Sequence, residues 1–181
     1  TGFYTKFPVN SVSDFKGKKL RIYSTATQQM GSMLGFNATI LPFAEIPQAF
    51  STGLIEALFT SPQTGIDIQA WDNTKHFTYA GAIFSKNAVV VTKKAFNALS
   101  KGDQGNMLAA AKKAELRGWE LSAETTKKQI GILKKNGMSS KNAPDEVISK
   151  MKSIGLEMMK NWRSKASPEA NAVLDRYLSM R

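Results

Sequence analysis

The residue best suited to ligand chemistry is a single arginine, Arg21, inside an otherwise apolar stretch. Leu20 and Ile22 flank it as in a buried strand, and hydroxyl residues follow before a helix carrying Met30. In such a strand–turn–helix unit, ligands bind beyond the carboxyl end of the strand, where the helix N-terminus offers free N–H groups to an anion. Arg21 would there clamp a carboxylate or phosphate through paired hydrogen bonds. A strand-end arginine paired with a nearby acid fits the stretch equally well, so both roles remain open here.

Catalytic and metal-binding chemistry finds little support elsewhere in the sequence. The chain has no cysteine and one histidine, His76, which has no nucleophile motif beside it. No glycine-rich phosphate loop is present, and acids such as Glu45, Glu56 and Asp67 are spread over different predicted elements. We therefore predict a protein that is not an enzyme and that uses no metal or cofactor.

The net charge of +11 raises the question of nucleic-acid binding. The lysines are spread along the chain in pairs, which is typical of solvated helix faces, and we find no zinc-finger spacing, aromatic RNA-binding signature or arginine-rich arm. We predict that nucleic acid is not a partner. The rival hypothesis is a basic α/β-helical domain that binds nucleic acid or acidic partners through these lysines.

The elements that position Arg21 belong to a predicted α/β part at residues 1–92, followed by a helical segment at residues 93–181. With 181 residues and 42% hydrophobic content, the chain can bury a real core. Residues 1–10 are predicted to be a loop or edge strand. Further strands are predicted at residues 37–42, 54–59, 77–84 and 88–92, and helices at 44–52, 93–99 and 103–135, with two more beginning at Pro144 and Pro168.

The helical segment is as long as the α/β part, which has few strands for so many helices. Its methionines and tryptophans are predicted to pack against something rather than to line a cofactor pocket. Part of the apolar helical surface therefore lacks a predicted partner within the chain. We expect a missing piece, a homo-oligomer or a domain swap.

Three segments, taken in order, resemble the substrate-binding proteins of TRAP (tripartite ATP-independent periplasmic) transporters. They read FKGKKLRIYSTAT, LPFAEIPQAFSTGLIEALFTSPQTGIDIQAWD and SKNAVVVTKKAFNALS, and the likeness covers nearly the whole chain. The resemblance implies an α/β fold, the second lobe of a periplasmic-binding-protein-like (type II) fold followed by long helices. It also implies a periplasmic location and an organic acid ligand that is delivered to TRAP membrane subunits.

The resemblance assigns roles to residues of the strand–turn–helix unit. The arginine of this strand forms the salt bridge to the substrate carboxylate in the family, which implies that role for Arg21. The position three residues further on, Ser24 here, implies a side chain facing the ligand. Two lobes close over the ligand in that family, and this chain begins about where the second lobe begins. The resemblance therefore implies a truncated portion that binds ligand weakly by itself.

Four further ligand-binding residues follow from the same resemblance. Phe43, in the P-F-x-E segment, matches an aromatic residue that lines the pocket, and Trp71 matches the tryptophan of the A-W segment. Thr60 and Ser61 match polar contacts in the loop after the buried strand. Phe43 and Trp71 would give the pocket an apolar wall, but core packing explains either ring equally well.

The sequence also departs from the family pattern. Many members carry an Asp-Gly pair followed by Gln-Glu-Asn-Pro, where this chain has Glu56, Ala57 and then LFTSP. The sialic-acid and C4-dicarboxylate patterns are therefore not reproduced. The resemblance points instead to the members that bind other organic acids.

Overall fold

The structure, a computed structural model, describes residues 1–83 and 88–180, without the side chain of Ala123. Its centre is one six-stranded mixed sheet with the order β3-β2-β4-β1-β5-β6. The pairs β2/β3, β2/β4 and β5/β6 are parallel, whereas β1 runs antiparallel to both of its neighbours. The strands are β1 (Gly2–Thr5), β2 (Lys19–Ile22), β3 (Asn37–Ile40), β4 (Ala57–Thr60), β5 (His76–Tyr79) and β6 (Ser139–Asn142).

Helices cover both faces of this sheet, and most of them begin at a hydroxyl residue. Ser24, Ser61, Ser100 and Ser167 each accept a hydrogen bond from a backbone N–H of the first helical turn, as N-cap residues do. The helices are α1 (Thr25–Met33), α2 (Ile46–Ser51), α3 (Pro62–Asp67), α4 (Lys93–Asn97), α5 (Lys101–Lys135), α6 (Asp145–Arg163) and α7 (Pro168–Leu178). The 3-10 turns are Val12–Phe15, Phe43–Glu45 and Ala70–Asp72.

Strand β1 differs from the sequence prediction of a loop or edge strand. It lies between β4 and β5, and all of its residues are buried, as are all residues of β4. Side chains alternate between the two faces, so that Phe3 joins one apolar cluster and Tyr4 the other. The first four strand residues of the chain are therefore central to the core.

Two apolar clusters fill the two faces of the sheet. The first packs Phe3, Phe59 and their neighbours under α1 and α6, with Met151 of α6 in contact. The second packs Tyr4 and Leu58 under α2 and the end of α5, where Leu133 is fully buried. Strand β6 and helix α6 thus bring residues of the predicted helical segment into the α/β core. The domain division at residue 92 stays a prediction.

The predicted strand at residues 88–92 is wrong. This segment forms no strand, and Val89, Val90 and Val91 are 104%, 86% and 54% exposed. β-branched residues favour strands because they pack well on a pleated, half-buried surface, and no such surface lies beside this segment among the described residues. The predicted strand at 77–84 is shorter, because β5 ends at Tyr79; Phe84 lies outside the described residues.

Residues 88–121, which we call the exposed arm, contain no buried residue although all of them are described. The arm comprises the extended valines, α4 and the first part of α5. Among the described residues, no helix combines the length and apolarity needed to cross a membrane. Part of the apolar helical surface was predicted to lack a partner within the chain, and in the arm Leu108 and Leu116 are more than half exposed.

Candidate functional site

A cleft of about 670 Å³ opens at one edge of the sheet. The carboxyl ends of β2, β4 and β5 meet there, and antiparallel β1 begins at the same edge because Gly2 pairs with Thr60 and Tyr79. Ligands bind at this end of the strands in open α/β sheets. The cleft is lined by Thr1, Arg21, Tyr23, Phe43, Thr60, Ser61, Pro62, Gln63, Thr64, Tyr79, Ile83, Trp119, Ser122, Thr125, Thr126 and Gln129.

Arg21 is the one charged side chain among these described lining residues. It is only 5% exposed, and its Nε donates to the carbonyl of Leu41 at 3.0 Å. No carboxylate among the described residues pairs with it, and no described residue accepts from its two terminal nitrogens. Burial lowers the pKa of the Arg21 guanidinium. A buried cation without a partner is costly, so this site favours a bound anion.

Two aromatic rings stand beside the guanidinium. The ring of Tyr23 has its centroid 6.0 Å from the Arg21 Cζ atom, and burial raises the pKa of the Tyr23 phenol while the nearby guanidinium lowers it less. Tyr23 therefore stays a neutral hydrogen-bonding group beside the cation. Phe43 also lines the cleft and is 52% exposed, which is unusual for a core ring.

The loop after β4 forms a polar wall that Tyr4 holds in place. Thr60 is 6% exposed, and the Ser61 hydroxyl accepts from the backbone N–H of Thr64 at 3.1 Å as the N-cap of α3. From the core side, the Tyr4 hydroxyl donates to the Ser61 carbonyl at 3.2 Å. Gly65 leaves room for the Tyr4 ring, because a Cβ there would overlap it. Tyr4 is thus built into the support of the cleft wall.

Helix α5 supplies the facing wall through an uncharged polar stripe. Ser122, Thr125, Thr126 and Gln129 follow one another at helical spacing and line the cleft, with Trp119 at its outer end. Gln129 donates to the Oε1 atom of Gln63 at 2.9 Å, which joins α5 to α3. The wall can therefore offer hydroxyl and amide groups to a ligand but no charge.

The structure brings together four of the six residues predicted to bind ligand: Arg21, Phe43, Thr60 and Ser61 line one cleft. Ser24 lies outside this lining and N-caps α1 instead, accepting from Thr27 at 3.2 Å. Trp71 is half-buried against the second apolar cluster and also lies outside the lining. The ligand contacts of all six stay predictions.

Several lining residues were missed from the sequence. Tyr23 could have been found, because it follows Arg21 by two positions at the same strand end. Trp119 was among the tryptophans predicted to pack against another surface, but Ser122, Thr125 and Gln129 at helical spacing in a lysine-rich helix were a usable signal for a polar face. In the described residues, no group of three or more metal-ligating side chains comes together.

Solved structures with the same fold are receptors for small solutes. The Bordetella pertussis extracytoplasmic solute receptor DctP7, which binds pyroglutamic acid, matches with 38% identity and a TM-score of 0.90, over 97% of this chain and 58% of its own. DctP6 of B. pertussis, which also binds pyroglutamic acid, matches with 35% identity and a TM-score of 0.92, over 98% of this chain and 59% of its own. A marine metagenome TRAP solute-binding protein specific for pyroglutamate matches with 30% identity and a TM-score of 0.89, over 98% of this chain and 59% of its own.

The fold is thus shared with a family of solute-binding proteins. Residues 1–165 match the model of the bacterial extracellular solute-binding proteins, family 7 (DctP), and the chain belongs to that family. The predicted α/β fold, the resemblance to TRAP receptors and the extracytoplasmic location are confirmed. The chain spans 58–59% of the length of the three relatives just described.

Proposed function

We propose that this chain forms the anion-binding wall of a TRAP receptor for a small monocarboxylic acid. The observation that carries the proposal is the buried Arg21 guanidinium, which lines the cleft and whose terminal nitrogens have no protein acceptor among the described residues. A carboxylate would accept two parallel hydrogen bonds from such a group. This supports the clamp role for Arg21 over the strand-end ion pair.

The charge of the cleft limits the ligand further. Arg21 matches one carboxylate, and the described lining residues carry no second cationic side chain for a dicarboxylate. They also carry no acidic side chain to pair with an ammonium group, so a zwitterionic amino acid would bury that group unpaired. The charge of the described lining residues therefore favours an acid whose remaining polar groups are uncharged.

Pyroglutamate is the first candidate. It joins one carboxylate to a neutral lactam ring, and three relatives described above bind it. Tyr23 and Phe43 offer aromatic surface for the ring, while the hydroxyls of the two walls offer hydrogen bonds. The loaded receptor then delivers the acid to the TRAP membrane subunits.

Calorimetric titration of the protein encoded by the whole gene tests the ligand class. We expect pyroglutamate to bind, and glutamate and succinate to bind at least about tenfold more weakly, because each buries an unmatched charge. Equal affinity for all three acids would contradict the charge argument. Salt-dependent binding to a generic DNA duplex, with no binding of acids, would favour the rival nucleic-acid hypothesis.

Substitution of the clamp tests its role. Arg21→Ala should keep the fold and weaken acid binding by about 2–5 kcal/mol, roughly 30-fold to several thousandfold, as for a desolvated charge pair. The matched control is Arg117→Ala in the exposed arm, where Arg117 pairs with Glu120 at 3.2 Å in solvent. Acid affinity should not change in the control. Unchanged affinity in Arg21→Ala would rule out the clamp.

A further inference from the structure

A chain of three polar side chains crosses the rim of the cleft from α3 to α5. Gln129 Nε2 donates to Gln63 Oε1 at 2.9 Å, and Gln63 Nε2 donates to Asp67 Oδ1 at 2.7 Å. Gln63 and Gln129 line the cleft, whereas Asp67 lies outside its lining, on the next turn of α3. The carboxylate is thus at the far end of the chain and the Gln129 amide is inside the cleft.

The Asp67 carboxylate determines the orientation of the side-chain amides of Gln63 and Gln129. An ionised carboxylate only accepts hydrogen bonds, so Gln63 has to turn its NH₂ group towards Asp67 and its oxygen towards Gln129. Gln129 then has to donate with its own NH₂ group. Without Asp67, the two amides could satisfy each other in either orientation.

The oxygen of Gln129 remains for a ligand. No described residue donates to the Gln129 Oε1 atom, and the side chain is half-buried in the cleft wall. The neighbouring Thr126 hydroxyl can both donate and accept. The Thr125 hydroxyl donates to the Leu121 carbonyl, so that it has only its lone pairs left for a ligand. The Gln129 amide and the Thr125 hydroxyl therefore both present an acceptor to a ligand, and the orientation of the amide is set by Gln63 and Asp67.

We propose that the Asp67–Gln63–Gln129 chain, the amide relay, holds Gln129 as a hydrogen-bond acceptor and so selects acids that carry an N–H or O–H donor in addition to the carboxylate. Gln129 contacts the ligand, and Gln63 and Asp67 are positioning residues. This inference rests on the proposed function, because Arg21 has to hold the carboxylate in the same cleft.

Two ligands that differ at one position test the relay. Pyroglutamate has a ring N–H, and 5-oxotetrahydrofuran-2-carboxylate has a ring oxygen at the same place. The readout is the ratio of their calorimetric Kd values in the protein encoded by the whole gene. We expect pyroglutamate to bind at least about tenfold more tightly, because two acceptors would otherwise face each other.

Substitutions in the relay should change this ratio without changing the fold. Asp67→Asn removes the fixed acceptor, and Gln63→Met breaks the chain at nearly constant size; Asp67 and Gln63 are both exposed, so neither change disturbs the core. Either variant should reduce the ratio at least about threefold, mainly by weakening pyroglutamate binding. The control Asp103→Asn, in the exposed arm, should leave the ratio unchanged.

The outcomes separate the two proposals. If both acids bind through Arg21 with the same ratio in the parent protein and both variants, the relay is overturned and the proposed function stands. If neither acid binds, or if Arg21→Ala has no effect, the proposed function fails and the relay with it. A ratio that falls in both variants and not in the control supports the relay.

Discussion

The α/β core and the exposed arm contain similar apolar side chains, which are buried in the core and exposed in the arm. In the core, Phe3, Leu58 and Phe59 are fully buried between sheet and helices. In the arm, Leu116 and Val90 are exposed. Leu116 lies on helix α5, and Val90 lies in a run of β-branched residues of the kind that favours a buried strand. Apolar patterning is therefore present in both regions, but only the core has a surface to bury it against. Burial depends on a partner surface as well as on sequence pattern.

The largest expected contrast comes from truncating one apolar residue in each region. Phe59→Ala removes a ring packed 4.8 Å, centroid to centroid, from Phe3 and should cost about 3–5 kcal/mol of unfolding free energy. Leu116→Ala removes an exposed side chain and should change it by less than about 0.5 kcal/mol. Urea unfolding of both variants measures the difference. Equal losses would show that the arm is packed in solution.

Two helical glycines give the next contrast. Gly65→Ala pushes a methyl group into the Tyr4 ring and should destabilise the protein by about 1–3 kcal/mol. Gly118→Ala, in the arm, meets nothing within 4 Å and should stabilise α5 by about 0.5–1 kcal/mol. The changes in unfolding free energy should therefore have opposite signs in the two variants.

Thermal unfolding followed by circular dichroism checks these signs. The double variant Tyr4→Leu/Gly65→Ala should lose less unfolding free energy than the two single variants together, because the leucine side chain leaves room for the added methyl group. A loss equal to the sum of the single losses would contradict the proposed overlap.

A pH experiment compares two aspartates. Asp14 accepts from the backbone N–H groups of Asn10 and Ser11, and these bonds lower the pKa of its carboxyl. Since the folded pKa is below the unfolded one, the stabilisation is present above the unfolded pKa and is lost as pH falls through the folded pKa.

Asp14→Asn should therefore cost about 0.5–1 kcal/mol near pH 7, and the cost should decrease as the pH falls below the ordinary pKa of aspartate. Asp103→Asn in the arm should leave the urea midpoint of the core unchanged at both pH values. A pH-independent loss in Asp14→Asn would contradict the titration argument.

The smallest effect is expected in the extended valines. Val90→Thr keeps the β-branched shape at a site that is 86% exposed, so the unfolding free energy should change by less than about 0.5 kcal/mol. Urea unfolding again measures it. A loss above about 1 kcal/mol would mean that Val90 is covered in solution, which sedimentation velocity would reveal as self-association.

Local signals were sufficient for part of the fold. The helix at residues 103–135, observed as α5 (Lys101–Lys135), and the strand containing Arg21 were predicted because each depends on nearby residues. The central place of β1 was missed because it pairs with residues 57–60 and 76–79, far along the chain. Strand β6 was missed because its sequence, SSKN, is polar and only pairing with β5 makes it a strand.

The site divides in the same way. Arg21, Thr60 and Ser61 follow strand ends, and the rule for parallel sheets places such residues at one edge. The spacing of Ser122, Thr125 and Gln129 indicates a polar face on α5, but the sequence alone does not show that this face meets the cleft, because that depends on how α5 packs on α3. Predicting which face of a long helix meets the cleft requires the tertiary arrangement, which the helical period alone does not contain.

The position of β1 has a consequence for the folding order. Strands β3, β2 and β4 form one parallel group, β5 and β6 form another, and only β1 bridges them. Because β1 must close two long loops to pair on both sides, its insertion should be a slow, late step, and contacts of this kind slow folding. Residues 2–5 thus join the two parallel groups of strands into one sheet, and the cleft at the edge of that sheet forms only after β1 has paired on both sides.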